Sequence, residues 1–315
     1  ESVLNQKKDF APARYKLGQV LAIDRLYDDA LLEYEKASEY QPYTAVLWYE
    51  LAVIFEDRQK IDGAIDLYKR AIALDPQHSS SHFQLGGLYY ENGEQDLAME
   101  HYKAAVAADS SLENYFLDQV PQYYSAQISA DEARSLLDRS LVVKPDDPLA
   151  YFYYAQIEAN EGNPIQAIQH YEKTVSLDPN YADVYFPLGD LYYDQGDREN
   201  AARVYQKGIE LDPNLKPHFL DLGKAHFEAN KFEAAIEPFD KYLMIDSENV
   251  EATFLLGQCY QETEDFDSAL RFYARTIELD PNHKDALIRS ARIYKLKNDP
   301  ENALVMLIRL IAIDP

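Results

Sequence analysis

The sequence predicts an all-α solenoid of stacked helix–turn–helix units, and three observations carry that prediction. The first is a spacing. In Ala182–Leu215, Tyr185, Leu188, Gly189, Tyr192, Ala201, Tyr205, Gly208 and Pro213 fall at positions 4, 7, 8, 11, 20, 24, 27 and 32 of a 34-residue unit. Positions 4, 7/8 and 11 form one face of a 3.6-period helix, and 20, 24 and 27 form another. The second is punctuation. Gly196 frees the chain to turn between the two helices, and Asp212-Pro213 ends the second, because a residue before proline is pushed out of the α region. The third is recurrence of the same unit along the chain.

Taken in order, residues 1–10 are in register with the end of a preceding helix B, with Leu4 at position 27. The first full unit, Ala11–Thr44, has Leu17, Gly18, Ala30, Tyr34, Ala37 and Pro42 in place, and the second, Ala45–His78, has Trp48, Leu51, Ala52, Phe55, Ala64, Tyr68, Ala71 and Pro76. The third, Ser79–Leu112, has Leu85, Gly86, Tyr89, Gly93, Ala98, Tyr102 and Ala105, with Ser110 where proline is usual. These three make up 11–112. The degenerate fourth unit occupies 113–147; Ser129 and Glu132 predict a capping box for its helix B, but Pro121 falls mid-helix in its first half. A proline there removes a hydrogen bond and clashes, at about 3 kcal/mol, so a kinked or restarted helix is expected over 113–128. Five further units fill 148–315, with Tyr151, Tyr171, Leu222, Phe239, Leu256, Tyr273, Ala291 and Leu307 keeping the pattern. Pro238 predicts a second kink.

This pattern resembles the tetratricopeptide repeat over essentially the whole chain. The resemblance implies helix pairs stacked into a right-handed superhelix, because a lone pair cannot bury both faces. Arrays of that kind end in a polar helix, whereas Leu304, Val305, Leu307, Ile308 and Ile311 lead straight to the last residue. With the mid-unit start, this predicts a fragment of a longer chain and possible self-association through uncapped ends.

Composition narrows the function. The chain has 315 residues, 30 basic against 55 acidic, for a net charge of −25. That opposes a phosphate-backbone ligand, so no nucleic acid is expected, and it disfavours anionic membrane surfaces. No apolar run approaches the ~20 residues of a membrane span. Cys259 alone excludes an internal disulfide and is expected to be a buried thiol. The compartment is not fixed, with cytoplasm favoured over periplasm. Histidines 78, 82, 101, 170, 218, 226 and 283 show no metal-ligand grouping, and His101 and His170, both at position 23, are expected to face solvent. No phosphate loop, nucleophile elbow or HExxH occurs, so neither catalysis nor a cofactor is expected.

In the family that the sequence resembles, helix A lines the concave surface and ligands touch positions 2, 5, 9, 12 and 13. The resemblance therefore implies a groove with Tyr15, Tyr49, Phe83, Phe152, Phe186 and Phe254 at position 5 and Tyr90, Tyr193 and Phe227 at position 12. Asp57, Glu91, Asp194, Glu228 and Glu262 form a column at position 13. Rings beside oriented charges suit a basic or amphipathic peptide or helix. The lysine and asparagine clamp of chaperone-tail binders is absent, since position 5 is aromatic or aliphatic. The ninth unit differs, with Lys284, Arg289, Arg292, Lys295, Lys297 and Arg309 making it locally basic. The leading expectation is a non-enzymatic protein-interaction scaffold. The alternatives are a substrate-recruiting arm of an enzyme whose catalytic domain lies elsewhere, and a self-assembling array.

Overall fold

A computed structural model describes residues 11–24, 26–40 and 45–313. The reading of residues 1–10, and the places of Pro42 and Pro315, lie outside them. The chain divides into two compact units, Glu1–Ile157 and Glu158–Pro315.

In the first unit, α1 (Ala11–Ile23) pairs with α2 (Tyr27–Tyr40), α3 (Ala45–Asp57) with α4 (Ile61–Leu74), and α5 (Ser79–Glu91) with α6 (Gln95–Ala108). α7 (Ala130–Val143) follows, and the boundary falls within α8 (Pro148–Asn160). The second unit continues with α9 (Pro164–Leu177), α10 (Tyr185–Asp194), α11 (Arg198–Leu211), α12 (Lys216–Glu228), α13 (Phe232–Ile245), α14 (Val250–Glu262), α15 (Phe266–Leu279), α16 (Lys284–Leu296) and α17 (Pro300–Ile313). There α10/α11, α12/α13, α14/α15 and α16/α17 are the packed pairs. Among the described residues all regular structure is helical. This is the predicted all-α repeat architecture.

The core is the recurring set of columns. Position 24 supplies the largest fully buried side chains: Tyr34, Tyr68, Tyr102, Tyr171, Tyr205 and Tyr273, with Phe239 and Leu137 in the seventh and fourth repeats. Their rings lie flat against small residues at position 8, where only glycine or alanine leaves room: a Cβ on Gly86 would sit 2.9 Å from the Tyr102 ring, and on Gly223 2.7 Å from Phe239. Alanine at position 20 is buried in every repeat, from Ala30 to Ala303.

The connections refine the reading of the punctuation. Between helices A and B, position 15 takes a left-handed backbone: Gly93, Gly162 and Gly196 have φ of 78°, 78° and 77°. Gln59, Asn230, Glu264 and Asn298 hold φ of 56–63° at the same position without being glycine. Packing of the two flanking helices fixes the turn and overrides the residue preference. At the end of helix B the common device is the aspartate more than the proline. The carboxylates of Asp75, Asp178, Asp212 and Asp280 each accept from the backbone N–H two residues on, at 2.9–3.0 Å. Asp109 does the same at 3.0 Å although serine follows it. Such Asx turns stop a helix by offering its backbone another partner.

Two expectations need correction. The first half of the fourth repeat is no kinked α-helix: Leu117–Tyr123 is a 3₁₀ helix containing Pro121, after a 3₁₀ turn at Ser110–Leu112. Proline tolerates this tighter winding because an i→i+3 pattern in a short stretch asks less of its missing N–H. The capping box at Ser129 and Glu132 does form and restarts regular helix. Pro238, by contrast, sits buried inside α13, which runs unbroken from Phe232 to Ile245. The outer side of α17 leaves Leu304, Val305, Leu307, Ile308 and Ile311 43–63% exposed.

Candidate functional site

The sequence reading singled out the helix A side chains at positions 5, 12 and 13. In the first unit Tyr15, Tyr49, Phe83 and Tyr90 are half-buried and Phe152 is buried, while Asp57 and Glu91 are exposed. In the second unit Phe186, Tyr193, Phe227 and Phe254 are half-buried and Asp194, Glu228 and Glu262 are exposed. The position-5 rings are not simply displayed to solvent. They lean on the position-24 tyrosines of their own repeats, Tyr15 on Tyr34 at 5.8 Å, Tyr49 on Tyr68 at 5.8 Å and Phe83 on Tyr102 at 5.5 Å. Phe186 on Tyr205 at 5.6 Å and Phe254 on Tyr273 at 5.7 Å repeat the contact. The helix A face is thus a floor of rings rooted in the core, with carboxylates standing above it.

That floor is held by phenol hydroxyls reaching up from helix B. Tyr34 donates to Glu50 at 2.9 Å, Tyr68 to Glu56 at 2.7 Å, Tyr205 to Asp190 at 2.6 Å and Tyr273 to Gln261 at 2.8 Å. Glu50 also accepts from Tyr15, whose own phenol is pushed up to about 12 by burial and then by that carboxylate. The three that end on carboxylates are charge-assisted, so part of the acidic lining is structural, whereas the position-13 carboxylates stand exposed. Even there Glu91 accepts from Arg139 at 3.2 Å.

In the second unit the face contains a buried cation that the sequence reading missed. Lys241 is 6% exposed and donates to Asp190 and Glu237, both at 2.7 Å. Burial alone would lower its pKa, but the two carboxylates outweigh that and raise it. Its ammonium lies 5.0 Å from the Tyr193 ring centroid, within cation–π range. Next to it Asp240 accepts from Tyr193 at 2.8 Å and from both ends of the Arg198 guanidinium at 2.6 and 2.8 Å. The only sequence hint was a base at position 26, and nothing local said that it would point inward.

The histidines also depart from expectation. His101 and His170 are half-buried, not solvent-facing. His101 stacks on Tyr89 at 5.5 Å and its Nδ1 is 2.9 Å from Nδ1 of His82, whose Nε2 is 3.2 Å from the Pro76 carbonyl. Burial lowers the pKa of His101 first, then the His82 charge and Lys69, against an opposing Glu100. Protonation therefore favours the unfolded chain: stability is complete above the ordinary value of about 6.5 and falls as the pH drops through that and below. Thermal midpoints at about pH 7 and pH 5.5 should show the loss, and His101→Gln should lessen it, the half-buried His78 and His170 keeping their own share; an unchanged slope would place the effect elsewhere. Cys259 is buried and its thiol is pushed up to about 12 by that burial, which makes it an inert packing residue. Among the described residues no group of three or more His, Cys, Asp or Glu is placed to hold a metal ion, and no helix is long and apolar enough to cross a membrane.

With helix pairs, columns and faces in place, comparison with known proteins identifies the class. Tetratricopeptide-repeat family matches cover residues 15–79, 49–113 and 220–284, then 156–196 and 189–229, and finally 261–315. The chain belongs to the tetratricopeptide-repeat family, and its architecture is that of a protein–protein interaction scaffold. No curated protein matches it. Similar solved structures include YrrB, described as a TPR protein with an unusual peptide-binding site, at 24% identity over 57% of this chain and 92% of that one, with TM-score 0.31. The C-terminal part of a TPR repeat-containing protein from Cytophaga hutchinsonii matches at 17% identity, 87% and 98% coverage and TM-score 0.33. Pseudomonas aeruginosa pilF matches at 17% identity, 90% and 97% coverage and TM-score 0.29. These likenesses concern the repeat fold alone.

Proposed function

We propose that the helix A faces hold a basic or amphipathic segment of another protein, by shape and charge. The observation that carries this is the pairing of a half-buried ring floor with exposed carboxylates at position 13 within each unit. Rings that are already ordered give contact area at little further entropy cost. The carboxylates steer a cationic partner toward the face and fix its register. A chain of net charge −25 adds a long-range field of the same sign.

Charge reversal tests each unit separately. Asp57→Lys with Glu91→Lys addresses the first unit, and Asp194→Lys with Glu228→Lys the second. Partner capture from lysate should be lost in at least one double variant, should weaken with added salt in the wild type, and circular dichroism should remain helical. Identical partner sets for wild type and both variants would remove these faces as the working surface.

A further inference from the structure

In the first unit the column at position 13 does not begin with an acid. It runs Ile23, Asp57, Glu91 along α1, α3 and α5. All three are exposed, so this place meets solvent in each repeat, and Ile23 is 80% exposed. One exposed aliphatic side chain means little by itself. Ile23, however, is a wall of an open groove of about 460 Å³ between α1 and α3. Ala22, Tyr49, Val53 and Ile54 supply the rest of its apolar surface, and Gln19, Tyr34 and Glu50 its polar one.

The polar side of the groove is already satisfied. Glu50 Oε1 accepts from Tyr15 Oη at 2.9 Å and from Gln19 Nε2 at 3.0 Å, and Glu50 Oε2 accepts from Tyr34 Oη at 2.9 Å. The Gln19 amide oxygen accepts from Lys16 at 2.9 Å. A carboxylate that already holds three donors gains little from a further cation, so what the groove still offers is apolar contact. Charge is offered one helical turn away. Asp57 follows Val53 by four residues on α3, which puts it on the same face about 6 Å further along. It is exposed, and among the described residues no ion pair reaches it, whereas Glu91 of the next repeat is shared with Arg139 at 3.2 Å.

We propose that this groove is an anchor subsite for one large aliphatic or aromatic side chain of a protein partner, and that Asp57 pairs with a lysine or arginine next to that anchor. The two must lie on the same side of the partner, about 6 Å apart. That spacing is i,i+2 in an extended segment and i,i+4 in a helix. This rests on the reading of the helix A faces given above and makes it specific in the first unit. A purely basic segment leaves the apolar walls in water, and an acidic residue at the anchor place is repelled by Glu50. The partner is therefore amphipathic, with its apolar residue at the first repeat and its charge toward the end of α3.

Selection from a random heptapeptide display library on the immobilised full chain tests it. The enriched peptides should share a large apolar residue with lysine or arginine two or four places away. Ile23→Gln should remove the preference for the apolar residue and keep that for the base, and Asp57→Asn should do the reverse. Fluorescence anisotropy with one enriched peptide should show Kd raised about five- to tenfold by Ile23→Gln and about two- to fivefold by Asp57→Asn. Only the second change should lessen the salt dependence. Ile23 lies at a place that is polar in the next two repeats, so the fold should hold, with circular dichroism as the check; if it does not, Val53→Gln on the facing wall decides. No enrichment, enriched peptides without an apolar residue, or a Kd unchanged by both wall variants overturns the proposal. Lysate capture lost on charge reversal but untouched by Ile23→Gln would keep the charged face and discard the anchor. Peptide binding that depends on Ile23, with capture untouched by charge reversal in either unit, would keep the anchor and discard the charged faces as the working surface.

Discussion

Tyr205→Ala is expected to destabilise the second unit by about 3–5 kcal/mol. The ring is fully buried, packs on Phe186 and Phe219, and lies against Gly189. Truncation leaves a cavity between rigid helices that relax only in part, and it strips Asp190 of one donor. Tyr205→Phe keeps the packing and loses the charge-assisted hydrogen bond, for about 1.5–3 kcal/mol. Tyr102→Phe makes a sharp contrast. Its hydroxyl is already without a partner, so the change should be neutral or slightly stabilising. Urea unfolding followed by circular dichroism distinguishes the three. Equal losses for Tyr102→Phe and Tyr205→Phe would mean that the phenol at position 24 acts through something other than its acceptor.

The second large effect is expected from Gly189→Leu. A Cβ there would lie 2.4 and 2.6 Å from atoms of the Tyr205 ring, closer than real contacts allow, and the rest of leucine has nowhere to go. Overpacking of this kind should cost about 3 kcal/mol. Alanine is milder: the second repeat carries Ala52 at the same position with Tyr68 still fully buried. Because the clash is with one ring, Gly189→Leu and Tyr205→Ala should not add; the double variant should be more stable than their sum by about 1–3 kcal/mol. Additive losses would show that Gly189 is constrained by the backbone and not by the tyrosine.

The repeat columns were legible because they are local. Helix faces, the turn at position 15 and the Asp-Pro stop all arise within 34 residues, and a 3.6 period cannot be hidden by composition. Pro121 was legible as a disturbance, but its outcome as 3₁₀ helix was not, since neighbouring packing chooses how a broken helix is rewound. His101 was misplaced for a related reason. Position 23 was read as facing out, yet Tyr89 and His82, on helix A of the same repeat, close over it.

By itself, then, the sequence determined the family, the all-α repeat architecture, the tyrosine and small-residue columns, and rings beside carboxylates on helix A. Only the tertiary structure decided which of those acidic groups are spoken for. Asp190 meets Lys241 across 51 residues of chain, and Glu91 meets Arg139 across 48. No periodicity records such neighbours, because they depend on how one repeat settles against the next. Gly87 likewise read as an ordinary small residue until the Tyr102 hydroxyl, which has no acceptor, was found 3.6 Å from where its Cβ would stand.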